Sequence, residues 1–259
     1  MPPWKPRAWS RRFRIASAIR PGGGPAPHTP RDIFGPKKLG ICLALLAGAA
    51  GAQVVEADYD TVAAELGGVF DFEAFEVLPE PGARIDGVIL GPGLSIGERF
   101  QGQRLHDDPP RESARPLEPE ALVVLPGAAG QNHAVAHHAG FGSNALFPIG
   151  PAGFERIEGR GEGVTSIRFG IPQAAVGFRL HADYADPLGV RPPPGVLRVH
   201  FFDPGGGFFG TQVVELRHGV MSLAFRSLGA RIGGIQIEHD DPGGIALDDL
   251  LFAIPQVVG

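Results

Sequence analysis

From Gln53 to its last residue the chain contains no cysteine, no lysine and no tryptophan. Without cysteine this stretch can form no disulfide, thiol nucleophile or thiolate-held zinc site, so its stability must come from packing, with or without a metal. Without lysine, all fixed positive charge rests on 14 arginines, set against 27 acids, a net charge of −13 with histidine neutral. An acidic surface with scattered arginines argues against nucleic acid or anionic lipid as a partner, because both are bound by neutralising phosphate. With Tyr59 and Tyr184 the only tyrosines, and most phenylalanines needed for a core, little aromatic surface is left for stacking a sugar ring. No apolar run reaches the ~20 residues that a membrane-crossing helix needs.

The first 52 residues are different material. Residues 1–36 are rich in Arg and Pro and have no apolar period; Lys37 and Lys38 then precede "LGICLALLAGAA" and the small-residue triplet Ala50, Gly51, Ala52. A basic stretch, a short apolar stretch and an A-x-A site describe a secretory signal peptide, with cleavage expected before Gln53. "SRRFRIA" has a twin-arginine look, but no apolar segment follows it. Cys42 sits inside the apolar stretch, which is no place for a lipid-anchor cysteine. The reading is an N-terminal extension and signal peptide over 1–52, and one domain over 53–259, secreted or periplasmic, with no membrane span.

Glycine and proline, 39 and 26 of 259 residues, suit short strands joined by tight turns better than helices. After a short helix that Asp60 could cap, β-rich segments are expected over 69–77, 84–90, 121–125, 164–169, 175–184, 196–202, 208–216, 220–225, 232–238 and 245–253. "VGFRLHADY" alternates, with Val176, Phe178 and Leu180 on one face and Arg179 and His181 on the other. The polar, proline-rich residues 101–120 read as a long surface loop. The expected class is all-β, an antiparallel sandwich.

Near the C-terminus, "GGIALDDLLF" breaks an apolar strand with two adjacent aspartates. Under strict alternation Asp248 shares a face with Ala246, Leu250 and Phe252, and Asp249 with Ile245, Leu247 and Leu251. At least one carboxylate then points at apolar neighbours and needs donors, a cation or a metal ion.

"FDFEAFEVLPEPGARIDG", "GFGSNALFPIG", "QAAVGFRLHADY" and "GVMSLAFRSLGARIGGIQIEHDDPGGIALDDLLF", in that order, resemble exported bacterial β-sandwich domains, including PEP-CTERM-type secreted proteins and jelly-roll carbohydrate-binding modules. The sorting tail of the former is not seen after Val258 and Gly259, which suggests release rather than anchoring. The resemblance implies a jelly-roll sandwich in which an early "FE" strand and a late "DD" strand share a structural calcium. The matching residues are Glu73, with Asp71 and Glu76 beside it, and Asp248 and Asp249. Calcium takes six to eight oxygens, which carboxylates and backbone carbonyls can supply.

Catalytic patterns are sparse. "GLSIG", residues 93–97, matches G-x-S-x-G, but no helix follows to make a nucleophile elbow, so a glycine-rich turn is expected. His133, His137 and His138 could hold a metal from one helical face, yet their glycine flanks suggest an exposed loop. His181, Asp183 and Tyr184 could serve as acid and base in a polysaccharide lyase, although polar outward residues on a strand are the default. The leading expectation is a non-catalytic binding or surface-interaction module for a glycan or cell-surface component, with Arg179, His181, Asp183 and Tyr184 as contacts. Its rival is a lyase or hydrolase using the histidines.

Overall fold

The computed structural model describes residues 53–108, 111–182 and 191–254. The chain divides into Met1–Ala47 and Gly48–Gly259, and every described residue belongs to the second unit; the expected signal peptide lies outside them. In chain order the elements are β1 (Val54–Ala57), α1 (Tyr59–Leu66), β2 (Gly67–Phe70), β3 (Ala83–Ile85), β4 (Ile89–Gly91), β5 (Leu94–Gly97), β6 (Arg99–Gln101), β7 (Arg104–Asp108), β8 (Arg111–Arg115), β9 (Ala121–Leu125), β10 (His133–His138), β11 (Ser143–Pro148), β12 (Thr165–Gln173), β13 (Ala175–His181), β14 (Val196–Phe202), β15 (Phe208–Glu215), β16 (Val220–Ser227), β17 (Ile232–His239) and β18 (Ala246–Ala253). The fold is all-β and antiparallel. The first sheet runs β1-β16-β13-β18-β11-β10-β3, with β2 also paired to β18, and the second runs β15-β14-β17-β12-β5-β4.

Alternate residues of both sheets meet in one core. Val176, Phe178 and Leu180 of β13, Phe225 of β16 and Leu247 of β18 pack with Leu197, Val199 and Phe201 of β14 and Ile235 and Ile237 of β17. Phe201 and Phe225 touch across the gap with ring centroids 5.6 Å apart, and Phe169 and Phe252 at 6.1 Å. Each buried side chain of this size contributes roughly 1.5–3 kcal/mol. The predicted alternation of β13 is therefore what joins the sheets, and Arg179 and His181 are left on the outer face.

Three expectations change at the level of single elements. The helix cap is Asp58, whose Oδ1 accepts from the Thr61 amide at 2.8 Å, while Asp60 lies in the first turn. Of the expected strand 69–77 only Val69 and Phe70 pair, because Phe72 adopts a left-handed backbone, φ 58°, and turns the chain inward. The Ser95 motif is β5, entered through the turn at Gly93, rather than a turn itself.

The largest difference is at residues 101–120. Instead of a surface loop, β7 and β8 form a hairpin, and β6 and β9 pair beside it. Together they cover the outer face of the second sheet. Phe100, Leu122 and Val124 pack there with Phe202, but most anchors are polar. Gln103 exchanges amide bonds with Gln236, the Ala114 amide donates to Glu238, and the Val164 amide donates to Glu112. A segment whose inward residues are glutamine and glutamate carries no apolar period, so its sequence looks like a loop.

Candidate functional site

The outer face of the first sheet gathers several of the predicted site residues, and a bulge arranges them. On β13, Gly177 and Arg179 are two residues apart; their partners on β18, Leu251 and Asp248, are three apart. The extra residue is Asp249, held at φ 48°, a left-handed conformation that an aspartate tolerates better than a β-branched residue would. The bulge resets the alternation. Leu247, Leu250 and Phe252 all join the sandwich core, and the two carboxylates are spared it, contrary to the strict alternation expected from the sequence.

Asp248 is fully buried and aligned with Arg179 across the strands. Its oxygens accept from Ser143 Oγ at 2.6 Å and from the Asp249 amide at 2.8 Å. Burial pushes its carboxyl up to about 6 against these two bonds, which favour ionisation. Asp249 pairs with Arg179 at 3.2 Å, each side chain about 30% exposed. Its carbonyl accepts from Tyr59 of α1 at 3.2 Å; burial, then the Asp249 charge, push that phenol up to about 12. The Arg179 guanidinium also lies 5.4 Å from the centre of the Phe141 ring.

Beside this pair, His181 and His138 meet with ring centroids 4.4 Å apart, and Phe141 stands 4.8 Å from His138. His138 Nδ1 accepts from the Phe141 amide at 3.2 Å. Burial, then the neighbouring His181 and His137, push His138 down to about 4, so it is neutral at pH 7. The turn between β10 and β11 allows this packing only because Gly140 has no side chain: a Cβ there would lie 2.7 Å from His138 and 3.0 Å from His181. The patch therefore presents a guanidinium and a carboxylate, each about a third open, and a partly buried aromatic ring, with two buried imidazoles packed beneath them.

The other predicted residues are spread more widely. The histidine segment is strand β10, not an exposed loop: His133 is buried with Nε2 3.1 Å from Thr165 Oγ1, and His137 is exposed. Of the four histidines considered, only His138 and His181 meet. Asp183 and Tyr184 lie outside the described residues. Glu73 is exposed and accepts from the Asn144 amide at 2.6 Å, next to the residue that donates to Asp248, so the early and late acids do reach neighbouring positions on β11. Asp71 folds back to accept from the Glu73 amide at 3.2 Å, and Glu76 is exposed. Among the described residues no three acidic or histidine side chains form a metal-binding group.

Sequence reasoning missed a second polar group, beneath the hairpin on the other sheet. Glu98, Glu112 and Glu238 are each at most 4% exposed there. Burial pushes Glu98 up to about 7 and Glu112 up to about 8. Burial also opposes charge on Glu238, but bonds from His200 and Arg115 outweigh it and hold the group below its ordinary value. The available signal was the charge-rich pair "RLHDD" and "RESAR", which reads as two solvent-facing strands rather than a lid. No protein-family model, curated protein or solved structure matches this chain.

Proposed function

We propose that this chain is an exported, non-catalytic β-sandwich of jelly-roll type that binds a glycan or cell-surface component through the outer face of its first sheet. The observation that carries the reading is the bulge at Asp249, which sets a second, partly exposed carboxylate against Arg179 where a regular strand would offer only the buried Asp248. Bulges next to binding sites commonly re-aim a side chain in this way. A guanidinium, a carboxylate and a nearby ring suit hydroxyl-rich ligands, with Phe141 taking the stacking role that tryptophan would otherwise fill. The jelly-roll assignment is supported by how the chain alternates between sheets: β11, β13, β16 and β18 belong to the first, β12, β14, β15 and β17 to the second. Export is supported by the apolar stretch and small-residue triplet before Gln53.

Calcium belongs to the same proposal, through Glu73 and Asp248 at the two ends of neighbouring bonds on β11. Thermal unfolding in EDTA and in millimolar calcium, with an Asp248→Asn variant, tests it; superimposable curves remove the ion. The binding claim is tested by titrating neutral and acidic oligosaccharides into the protein and into Arg179→Ala. Loss of binding in the variant supports the patch, and unchanged binding rejects it. The contact of His138 with His181 is the one observation favouring a lyase or hydrolase; turnover abolished by His181→Ala would establish that reading instead.

A further inference from the structure

A cleft of about 450 Å³ opens between the β7–β8 hairpin and the turn before β10, with Glu98, Arg99, Arg104, Leu105, Pro126 and Gln131 in its wall. Small-molecule sites run roughly from 300 to 1,000 Å³. Glu98 is the unusual member of its wall. Its side chain is 1% exposed; Oε2 pairs with Arg99 at 2.7 Å, and Oε1 has no hydrogen-bond partner. A buried acceptor left without a donor keeps its desolvation penalty uncompensated, the more so where it carries charge. Gly127 is shaped around this oxygen: a Cβ there would stand 2.4 Å from it. Glu98 thus lines the open volume while its orphan oxygen sits closed to solvent beside Gly127, where a ligand reaches it as that glycine turn gives way.

We propose that this cleft is a second ligand site, separate from the first-sheet patch, and that it takes a neutral polyhydroxylated small molecule, one hydroxyl of which donates to Glu98 Oε1. The chemistry follows from what lines it. A cation entering the cleft meets Arg99 and Arg104. An anion meets Glu98, with Asp107 and Glu112 close enough to raise its carboxyl further or be raised by it. A neutral ligand avoids both repulsions, and hydroxyls supply the donor that Glu98 lacks. Gln103 is already committed, to the Phe100 amide, the Pro116 carbonyl and Gln236, and Gln131 Nε2 donates to the Pro151 carbonyl, so Arg104 and the Gln131 carbonyl oxygen remain as the polar contacts on the rim. Leu105, Pro126 and Ala128 offer apolar surface to C–H faces.

A hydroxyl donated to the carboxylate favours its ionised form, so binding is expected to lower the Glu98 titration midpoint. The test titrates glucose, as a ring, and sorbitol, as an open chain, with glucuronate and putrescine as charged controls, following the Glu98 side-chain carbon by NMR. The expected result is binding by a neutral compound, an acid-ward shift in the Glu98 titration midpoint, and affinity weakened about tenfold or more in Glu98→Gln. Ring and chain probes distinguish a sugar from a general polyol. Arg179→Ala, which leaves the cleft intact, is expected to bind as the unaltered protein does, so failure of the first-sheet reading leaves this one standing. Absence of a response to both neutral probes, tighter binding of a charged control, or full affinity retained in Glu98→Gln overturns the proposal.

Discussion

The two sheets share one core but use their outer faces in opposite ways. On the first, Arg179 and Asp249 stand about a third open to solvent. On the second, the outward residues Ser166, Gln236 and Glu238 are as buried as the inward isoleucines, and all eight residues of β17 are covered. These three are satisfied by the covering segment: Gln236 by Gln103, Glu238 by Arg115 and the Ala114 amide, and Ser166 by the Glu98 carbonyl. Alternation in a sequence therefore tells which side a residue faces; it does not tell what lies on that side.

The comparison can be broken most severely at Glu238. Its carboxylate accepts from the Ala114 amide and from Arg115 at 2.7 Å, and His200 lies 3.3 Å away. Glu238→Ala removes the acceptor of the buried Ala114 amide and the carboxylate partner of His200 and of the more open Arg115, and is expected to cost about 3 kcal/mol, the low end for a broken buried pair. Urea unfolding measures the loss, and faster amide exchange confined to residues 104–115 would show that the cover lifts before the sandwich opens.

A second contrast is in pH dependence. Glu112 is raised from 4.5 to about 8 in the folded chain, so its stabilising contribution is complete below about 4.5 and fades as pH climbs through 8. Glu112→Gln is expected to flatten that alkaline decline. His138 on the open face is lowered from 6.5 to about 4, so its contribution is present above 6.5 and is lost as pH falls toward 4. Asp248 acts in the other sense on the same face, its contribution fading as pH rises from 3.8 through about 6. Unfolding midpoints measured from pH 4 to 9 should thus place the alkaline loss on the covered face; an unchanged slope in Glu112→Gln would remove that assignment.

Smaller effects sharpen the open face. Asp249→Val forces a β-branched residue into a left-handed backbone and is expected to destabilise by about 1–3 kcal/mol. Asp249→Gly keeps the backbone and loses a partly exposed ion pair, a change of about 1 kcal/mol or less. The difference between the two, read by thermal unfolding, isolates the bulge from its charge. Asp58→Ala removes the cap of α1, which packs Val62 over Ala175, Ala224 and Leu251 on this face, and is expected to cost about 1 kcal/mol.

What could be read from the residues follows the same division. The strands that fill the core, such as β13 and β14, announced themselves because Val176, Phe178 and Leu180 alternate with polar neighbours, and burial rewards that pattern directly. Strand β10 did not, because alanines and histidines on a buried strand look like a loop between glycines. The cover over the second sheet was invisible for a physical reason: Gln103 and Glu112 earn their burial by bonds to residues more than fifty positions away, and no local period records such a bond. In the candidate patch, Arg179, His181 and the two aspartates were legible as residue types, but the bulge that unites them was not, since alternation was assumed to run unbroken.

That bulge has a consequence for how the last strand tolerates change. With Asp249 removed, β18 would read Ala-Leu-Asp-Leu-Leu-Phe, a regular alternation that keeps Leu247, Leu250 and Phe252 pointing inward. The extra residue is thus a spacer with a cargo: the strand's apolar code is complete without it, and a chain shortened by that one position is expected to remain a sandwich while losing the exposed carboxylate that pairs with Arg179, with only the buried Asp248 left opposite the guanidinium.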